Sequence, residues 1–250
     1  MNQFDFSNKT ILVTGGTRGI GKQIVKDLHE LGANLLITGT KSHELNLLNN
    51  EATELGYKKK YFLLDSTLKI SVNNFLEEIK KYKKIDCLVN NAGINRLNFI
   101  QDAKLNDWEE MMSVNLTAPF RILNIVSSLM IENGYGRVVN IASIFGVISK
   151  EKRALYSATK FGIHGLTVGC SNDLAKHDIL VNTVSPGFVL TDMTKENLSP
   201  EEMKALASQI PIKRMAEVTE LSNVVVFLLS DLNKYLTGQN IIVDGGFTNV

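Results

Sequence analysis

The stretch Thr10-Ile-Leu-Val-Thr-Gly-Gly-Thr-Arg-Gly-Ile-Gly21 decides how this chain folds. Its opening run is continuously apolar rather than alternating, which is typical of a strand buried on both faces. Glycines follow at once, and apolar side chains then recur at helical spacing at Ile24, Leu28 and Leu31. The stretch therefore predicts a buried strand, a glycine-rich turn and an amphipathic helix in direct succession.

The same alternation of strand and helix continues to the end of the chain. Apolar runs rich in β-branched residues occur at 10–14, 34–38, 61–64, 85–89, 137–141, 179–184 and 240–243. Helical patterns lie between them at 20–31, 43–56, 70–83, 104–132, 156–176 and 217–230. This order predicts a doubly wound α/β fold of the Rossmann type, a central parallel sheet of about seven strands with helices on both faces. Because no linker or internal repeat interrupts the pattern, residues 1–250 are expected to form a single domain.

One segment breaks the alternation, at about residues 191–215. Within it, Ser199-Pro-Glu-Glu202 has the pattern of a capping box with proline in the first helical turn, and this predicts a short extra helix. A parallel sheet binds ligands at the carboxyl ends of its strands, and the segment follows one of those ends. We therefore expect a lid-like insertion there.

Composition narrows the class of partner. The chain has 27 Lys and Arg against 26 Asp and Glu, a net charge of +1, which argues against the basic surface of a nucleic-acid-binding protein. Cys87 and Cys170 stand apart, so neither a disulfide framework nor a metal site is expected. The N-terminus lacks the pattern of a secretory signal, and no run is apolar and long enough to predict a membrane span. We expect a soluble, cytoplasmic protein that acts on a small molecule and binds no metal, nucleic acid or membrane.

The glycine-rich turn has the chemistry of a dinucleotide site. Glycine lets the backbone approach a pyrophosphate closely, and the free N–H groups at the N-terminus of a helix favour an anion. Taken alone, the same pattern also fits a tight turn that binds nothing. The residues of the turn expected to contact a cofactor are Gly15, Thr17, Arg18, Gly19, Ile20 and Gly21.

The end of the second predicted strand indicates which dinucleotide is bound. Sites for NAD usually carry a carboxylate there for the ribose hydroxyls, whereas this chain has Gly39-Thr-Lys41. Thr40 adds a hydroxyl, and Lys41 with Arg18 adds positive charge where a 2′-phosphate would lie. NADP(H) is therefore preferred over NAD(H). The alternative is that both cations are merely exposed loop residues.

A serine, a tyrosine and a lysine follow the fifth predicted strand. That strand runs into Asn140-Ile-Ala-Ser143, and Tyr156-Ser-Ala-Thr-Lys160 begins the next helix. Their spacing places Tyr156 and Lys160 on one helical face, where an ammonium group favours the phenolate form of tyrosine. In isolation such a pair is more often a packed ring covered by a lysine stem. Beside a dinucleotide site it supplies the proton that hydride transfer to a carbonyl requires.

Together these motifs resemble one enzyme family. They are Thr14-Gly-x-x-x-Gly-x-Gly21, Asn90-Asn-Ala-Gly93, Asn115, Ser143, Tyr156-x-x-x-Lys160 and Pro186-Gly187. They are similar to those of the classical short-chain dehydrogenases/reductases over nearly the whole chain. The resemblance implies that Tyr156 donates a proton during carbonyl reduction while Ser143 hydrogen-bonds the substrate oxygen. It also implies that Lys160 lowers the tyrosine pKa and holds the nicotinamide ribose, and that Asn115 supports a water linking Lys160 to solvent.

The resemblance implies further cofactor contacts at the ends of other strands. The segment after the fourth strand resembles the motif that shapes the adenosine side, and the residues after the third resemble the adenine contact. The family more often has an apolar residue where Ser66 stands. The loop after the sixth strand resembles the one that meets the nicotinamide carboxamide. The implied contacts are Asp65, Ser66, Asn91, Ala92, Gly93, Tyr156, Lys160, Pro186, Gly187, Val189 and Thr191.

Within the family, the pattern most resembles 3-oxoacyl-[acyl-carrier-protein] reductases. Gly93-Ile-Asn-Arg96, the Tyr156 helix and the final Val243-Asp-Gly-Gly246 carry this resemblance. It implies a thioester-linked carbonyl substrate, NADPH, and a homotetramer built through helices 104–132 and 156–176 and the C-terminal segment. Asn133, Gly134 and His177 stand where a carrier-dependent enzyme would need arginines to bind an acidic carrier protein.

Other readings of the same residues stay open. The charged segment 147–153 precedes Tyr156, and it fits a polar substrate such as a sugar or a nucleotide sugar as well as it fits an exposed turn. A non-catalytic NADP(H)-binding regulator would share the fold. An extended epimerase or dehydratase would need a different glycine spacing and a further substrate domain, for which the chain has no room.

Overall fold

A seven-stranded parallel sheet forms the centre of the fold. The computed structural model describes residues 4–191, 194 and 198–249. The strands are β1 Thr10–Val13, β2 Asn34–Gly39, β3 Lys59–Leu63, β4 Cys87–Asn90, β5 Gly136–Ile141, β6 Ile179–Pro186 and β7 Asn240–Val243. Their order in the sheet is β3-β2-β1-β4-β5-β6-β7, and every neighbouring pair is parallel. The predicted doubly wound α/β architecture is confirmed.

Helices cover both faces of this sheet. They are α1 Gly19–Glu30, α2 Ser42–Glu54, α3 Lys69–Ile79, α4 Leu105–Met112, α5 Ala118–Asn133, α6 Ala154–Leu174, α7 Pro200–Gln209 and α8 Val218–Leu229. A π-helical turn, Ser113–Thr117, joins α4 to α5. The single helix predicted over 104–132 is therefore one long helical segment with a widened turn inside it.

Two apolar cores lie on opposite faces of the sheet. On one face, Ile11 and Val13 of β1 belong to a buried cluster with side chains of α1 and α8, whereas on the other face Leu12 packs with α3 and α5. Successive residues of a strand point to opposite faces, so a strand covered on both sides must be apolar throughout. This explains why the strand segments read as continuous apolar runs.

The long segment Leu105–Asn133 has a feature that the sequence analysis did not anticipate. It is 29 residues long with a mean hydropathy of 1.4 over its most apolar window, so by length and composition it matches a membrane-spanning helix. Its side chains Ile122, Leu123 and Val126 are buried against the sheet and α3. Packing inside the fold accounts for its apolar composition, as in the core helices of many proteins.

The extra helix predicted from the capping box is confirmed as α7. The Ser199 hydroxyl accepts a hydrogen bond from the Glu202 N–H at 3.2 Å, and the Ser199 N–H donates to the Glu202 carboxylate at 2.8 Å. Pro200 occupies the first turn. Residues 192–193 and 195–197 of the expected lid lie outside the described residues. The part that follows α7 is anchored, because Ile210 and Met215 are buried.

Candidate active site

The carboxyl ends of the strands bring the predicted site residues to one edge of the sheet. The glycine turn follows β1, Asn91 follows β4, and Ser143 follows β5. β1 and β4 are neighbours, and they mark the point where the order of the strands reverses. Open α/β sheets bind ligands outside the strand ends at such a point. The topology therefore assembles a site from segments far apart in sequence.

The glycine turn is packed so tightly that two of its positions require glycine. Gly15 has a φ of +63°, and a Cβ there would lie 3.0 Å from the Ala92 Cα. A Cβ at Gly21 would collide with the Gly15 carbonyl oxygen and the Asn91 Nδ2. Glycine at these two positions lets the turn pack directly against the segment that follows β4. The turn leads into the N-terminus of α1, where free backbone N–H groups favour an anion such as a pyrophosphate.

Asn91, which follows β4, and Thr14, which follows β1, hold the glycine turn in place. The Asn91 amide donates to the carbonyl oxygens of Thr14 at 3.0 Å and Gly15 at 3.1 Å. The Thr14 hydroxyl in turn accepts from the N–H groups of Asn91 at 3.0 Å and Ala92 at 3.1 Å. The Asn91 side chain therefore braces the glycine turn. The segment Asn91-Ala-Gly93 shapes the site by fixing the backbone beside it.

The cations predicted to recognise a phosphate lie at the surface near this turn. Arg18 is the N-cap residue of α1, Lys41 is the N-cap residue of α2, and both are exposed, as is Thr40. Neither cation forms an ion pair within the described part of the chain. The turn and the end of β2 meet closely, since a Cβ at Gly39 would lie 2.8 Å from the Thr17 side chain. The residues present fit a dinucleotide that carries an additional phosphate on its ribose.

Lys160 belongs to α6, and its side chain is buried against the end of β5. Its ammonium donates to the Ile141 carbonyl oxygen at 2.9 Å, and only 4% of the residue is exposed. Burial disfavours the charged form and lowers the pKa of Lys160 to about 8. A lysine with such a pKa exchanges its proton readily near neutral pH.

Asn115 lies on the π-helical turn and faces the same space as Lys160. Its side chain accepts from the Ile94 N–H at 2.8 Å and donates to the Ile94 carbonyl at 2.9 Å and to the Thr159 hydroxyl at 3.0 Å. A Cβ at Gly93 would lie 3.5 Å from both the Asn115 Oδ1 and the Lys160 Nζ. The two polar groups therefore both lie beside Gly93. The widened turn positions the Asn115 side chain among these partners.

Tyr156 stands at the start of α6 with Lys160 one turn further on. The Lys160 Nζ lies 5.6 Å from the centroid of the tyrosine ring. Burial raises the pKa of Tyr156, whereas a hydrogen bond with Ser143 and the positive charge of Arg153 lower it. Arg153 therefore adds a positive charge near the phenol besides that of Lys160, whose effect on the Tyr156 pKa stays a prediction. Sequence reasoning missed Arg153 as a site residue, although the charged segment before Tyr156 had drawn attention to it.

Ser143 serves two structural purposes at the end of β5. Its hydroxyl accepts the Phe145 N–H at 3.2 Å and so caps the short 3₁₀ turn Ile144–Gly146. The same side chain lies close enough to Tyr156 to lower the pKa of its phenol. The strand-end cap that the sequence offered as an alternative is therefore present together with the contact to the tyrosine.

A buried polar network beneath Ser143 also escaped sequence reasoning. The Asn140 side chain accepts from the Asn90 amide at 2.8 Å and donates to the Thr167 hydroxyl at 2.8 Å, and Thr183 joins Thr167 at 2.8 Å. All four residues are buried. Asparagines inside otherwise apolar strands were the available signal. The network ties β4, β5 and β6 to α6, and it thereby fixes the strand end that carries Ser143 relative to the helix that carries Tyr156.

Comparison with known proteins decides the family. The sequence profile of the short chain dehydrogenases matches residues 9–202. The chain belongs to the short-chain dehydrogenase family. The four side chains that resemble the catalytic tetrad of this family are among the described residues, and they lie together at one edge of the sheet.

Individual relatives extend over nearly the whole chain. The 3-oxoacyl-[acyl-carrier-protein] reductase FabG of Aquifex aeolicus is 39% identical over 98% of this chain and 99% of its own length. The enzyme of the same name from Escherichia coli is 35% identical over 97% and 98% of the two chains. Among solved structures, a gluconate 5-dehydrogenase from Burkholderia cenocepacia in complex with NADP and tartrate superimposes with a TM-score of 0.91. It is 29% identical over 100% of this chain and 98% of its own.

The loop after β6 closes one side of this short-chain dehydrogenase site. The Gly187 N–H donates to the Val243 carbonyl at 2.9 Å, and a Cβ at Gly187 would lie 2.8 Å from the Asp244 Cα. Val189 forms a bridge to Ala216. Thr191 reaches back to the glycine turn, since a Cβ at Gly19 would lie 3.6 Å from the Thr191 methyl group. The loop thus brings the Thr191 methyl group beside the turn after β1, while the Thr191 hydroxyl is hydrogen-bonded to Thr194 at 2.9 Å.

The residues after β3 lie at the other side of the site. The Asp65 carboxylate accepts from the Thr67 N–H at 3.0 Å and from the Thr67 hydroxyl at 2.6 Å. Ser66 is buried, and its carbonyl accepts the Ser113 hydroxyl at 2.6 Å. Asp65 is therefore fixed in orientation by its own turn. The Ser66 carbonyl ties this segment to the π-helical turn.

A cleft of about 560 Å³ lies between α1 and α2. Gly16, Thr17 and Gly19 of the glycine turn and Thr191 line it, whereas none of the four tetrad residues does. No cluster of three His, Cys, Asp or Glu side chains that could hold a metal ion occurs within the described residues.

Proposed function

We propose that the protein is an NADP(H)-dependent oxidoreductase that reduces a carbonyl to a secondary alcohol, or catalyses the reverse reaction, with a 3-oxoacyl thioester as substrate. The observation that carries this proposal is the convergence of Asn115, Ser143, Tyr156 and Lys160 at the sheet edge beside the glycine turn. The likeness to the FabG reductases of Aquifex aeolicus and Escherichia coli supports the substrate. The whole chain would act as one domain.

The cofactor would lie along the strand ends from the glycine turn to Tyr156. The turn would hold the pyrophosphate through its backbone N–H groups, and Arg18, Thr40 and Lys41 would bind the 2′-phosphate. The side chain of Thr191 and the backbone of Val189 would meet the carboxamide of the nicotinamide. When bound, NADPH supplies the hydride. The NADP found in the Burkholderia cenocepacia structure supports this assignment.

The tetrad supplies the proton. Tyr156 has a raised pKa, so it holds its proton at neutral pH and donates it to the substrate oxygen as negative charge develops there. The Ser143 hydroxyl would hydrogen-bond the same oxygen and stabilise that charge. The phenolate left behind is stabilised by the nearby cations of Lys160 and Arg153. Lys160, next to Asn115, is placed to return a proton to it.

The protonation of Lys160 should limit reduction at high pH. Because lysine is charged when protonated, a pKa lowered to about 8 means that the ammonium is present below about pH 8 and lost above it. We expect kcat/KM for reduction to fall as the pH rises through about 8, since this parameter reports the free enzyme. A Lys160→Arg variant, whose guanidinium stays charged, should show a flatter profile. A wild-type kcat/KM that is constant up to about pH 9.5 would contradict the assignment.

The choice of substrate class can be tested directly. A second candidate, reduction of a polar sugar-type substrate, is favoured by the charged segment 147–153 and by the likeness to a gluconate 5-dehydrogenase. Steady-state kcat/KM would be measured for an acetoacetyl thioester and for 5-oxogluconate, each with NADPH and NADH. We expect kcat/KM to be highest for the thioester with NADPH. A higher kcat/KM for 5-oxogluconate would favour the second candidate instead.

The assembly and location of the protein complete the proposal. We infer a homotetramer, because α5 and α6 expose large apolar side chains, among them Phe120 and Phe161, and Tyr235 near the C-terminus is 97% exposed. Two free cysteines in an enzyme of this kind support a reducing, cytoplasmic environment. A regulator without turnover is a weaker explanation, because it would have no need of a complete tetrad.

A further inference from the structure

Arg153 occupies an unusual position beside the proposed reacting groups. It is the residue immediately before α6, three positions ahead of Tyr156. Its side chain is half-buried, and the guanidinium carbon lies 4.8 Å from the centroid of the Phe145 ring. The Nε atom is buried and has no hydrogen-bond partner among the described residues. Buried hydrogen-bond donors are nearly always paired, so we expect an acceptor that is not among the described residues.

The surface next to Arg153 is an aromatic wall that it shares with Tyr156. Phe145 packs edge-on against Tyr156 at 6.4 Å and against Phe188 at 6.5 Å between ring centroids, and Phe188 packs against Phe247 at 5.1 Å. The guanidinium and the phenol therefore both lie against one ring, Phe145. The two groups are close enough that the positive charge of Arg153 lowers the pKa of Tyr156. A small substrate bound against Phe145 would therefore lie near both groups.

The charge of Arg153 is not neutralised within the described residues. Three of the described arginines form ion pairs, among them Arg96 with Glu110 at 3.2 Å and Arg214 with Glu220 at 2.7 Å, and the unpaired Arg18 is exposed, unlike Arg153. No carboxylate of the described part of the chain pairs with Arg153, although burial already disfavours its charged form and lowers its pKa. A half-buried cation against aromatic rings gains most from an anion that accepts hydrogen bonds from its planar group.

We propose that Arg153 binds a carboxylate of the substrate, so that the site reduces short oxo acids as a second substrate class beside 3-oxoacyl thioesters. The inference rests on the proposed function, since Tyr156 would donate the proton in both cases. The carbonyl carbon gains a hydride from NADPH, and its oxygen gains the proton of Tyr156. The products are a hydroxy acid and NADP⁺, and the carboxylate itself is unchanged.

A matched pair of ligands isolates the carboxylate. Acetoacetate and its methyl ester have the same oxo group and differ in the charge that Arg153 would bind. Their affinities for the enzyme with NADP⁺ would be measured by isothermal titration calorimetry, and their reduction would be measured with NADPH. The wild type should prefer acetoacetate. Arg153→Met should weaken acetoacetate binding by about 10- to 100-fold, the range for a lost charge-assisted pair, and change binding of the ester by less than about twofold.

Two further variants guard against indirect effects. Lys150→Met removes one positive charge from an exposed residue of the same segment and should leave both affinities unchanged. Arg153→Lys keeps the charge without the planar fork and should retain part of the preference for acetoacetate. If Arg153→Met does not fold, the loss seen in Arg153→Lys still carries the test.

The outcomes separate this inference from the proposed function. If the wild type binds both ligands equally, or Arg153→Met weakens both to the same extent, Arg153 is not a carboxylate site, even where the thioester is reduced. If neither ligand nor thioester is reduced but calorimetry shows the Arg153-dependent preference, the carboxylate site stands and the proposed function fails.

Discussion

A Tyr156→Phe enzyme is expected to lose nearly all reductase activity while still binding NADPH. The substitution removes the hydroxyl that donates the proton and keeps the ring that packs on Phe145. General acid catalysis of this kind contributes about 10²- to 10⁴-fold, so kcat should fall by a factor on the order of 10³. The dissociation constant of NADPH should stay within about twofold, because the phenol is remote from the phosphate-binding turn. Stopped-flow reduction and NADPH fluorescence titration give the two quantities.

Tyr135→Phe provides a matched control for that variant. Tyr135 also loses a hydrogen-bonded hydroxyl, which donates to Asp231 at 2.8 Å, but it precedes β5 at the opposite edge of the sheet. Its loss should cost stability by about 1 kcal/mol and leave kcat unchanged. If Tyr156→Phe retained more than about a tenth of the wild-type kcat, Tyr156 would not be the proton donor.

Gly21→Ala is expected to abolish cofactor binding at micromolar NADPH. The added methyl group would meet the Gly15 carbonyl oxygen and the Asn91 amide, which are the two groups that define the glycine turn. Either the turn moves away from the pyrophosphate or Asn91 loses its hydrogen bonds to Thr14 and Gly15. With several backbone contacts misplaced, NADPH affinity should fall about 100-fold or more. Overpacking should also lower the free energy of unfolding by about 1–3 kcal/mol.

Gly56→Ala separates this clash from a general loss of stability. Gly56 has a positive φ of +64°, so an alanine there is strained, but a Cβ at this position meets no atom within 4 Å. The variant should lose about 1 kcal/mol of stability and bind NADPH normally. Normal NADPH binding by Gly21→Ala would show that the turn does not hold the cofactor.

Much of the fold followed from the sequence because the physics of its elements is local. A strand covered on both faces must be apolar throughout, and all seven predicted strands were found, with ends that differ by about two residues. The capping box at Ser199 specified α7 through two short-range hydrogen bonds. The π-helical turn at Ser113–Thr117 was not predicted, because one widened turn leaves the apolar periodicity of the helix nearly unchanged.

The site was predictable as a set of residues and less so as a set of roles. The spacing of Tyr156 and Lys160 placed them on one helical face, but burial and not spacing determines their pKa values. Asn91 proved to brace the glycine turn, which depends on the pairing of β1 with β4. The approach of Arg153 to Phe145 depends on how segment 147–153 folds back onto the 3₁₀ turn after β5. Such long-range arrangements have no local signature.

Isotope labelling would show whether the protein transfers a hydride from NADPH to a substrate carbonyl. The purified protein would be incubated with an acetoacetyl thioester and NADPH carrying deuterium at both C4 positions of the nicotinamide, and the product would be analysed by mass spectrometry. We expect a 3-hydroxybutyryl thioester with one deuterium on its C3 carbon, formed in an amount equal to the NADP⁺ produced. Unlabelled product, or NADPH that binds but is not consumed with this thioester, would contradict it.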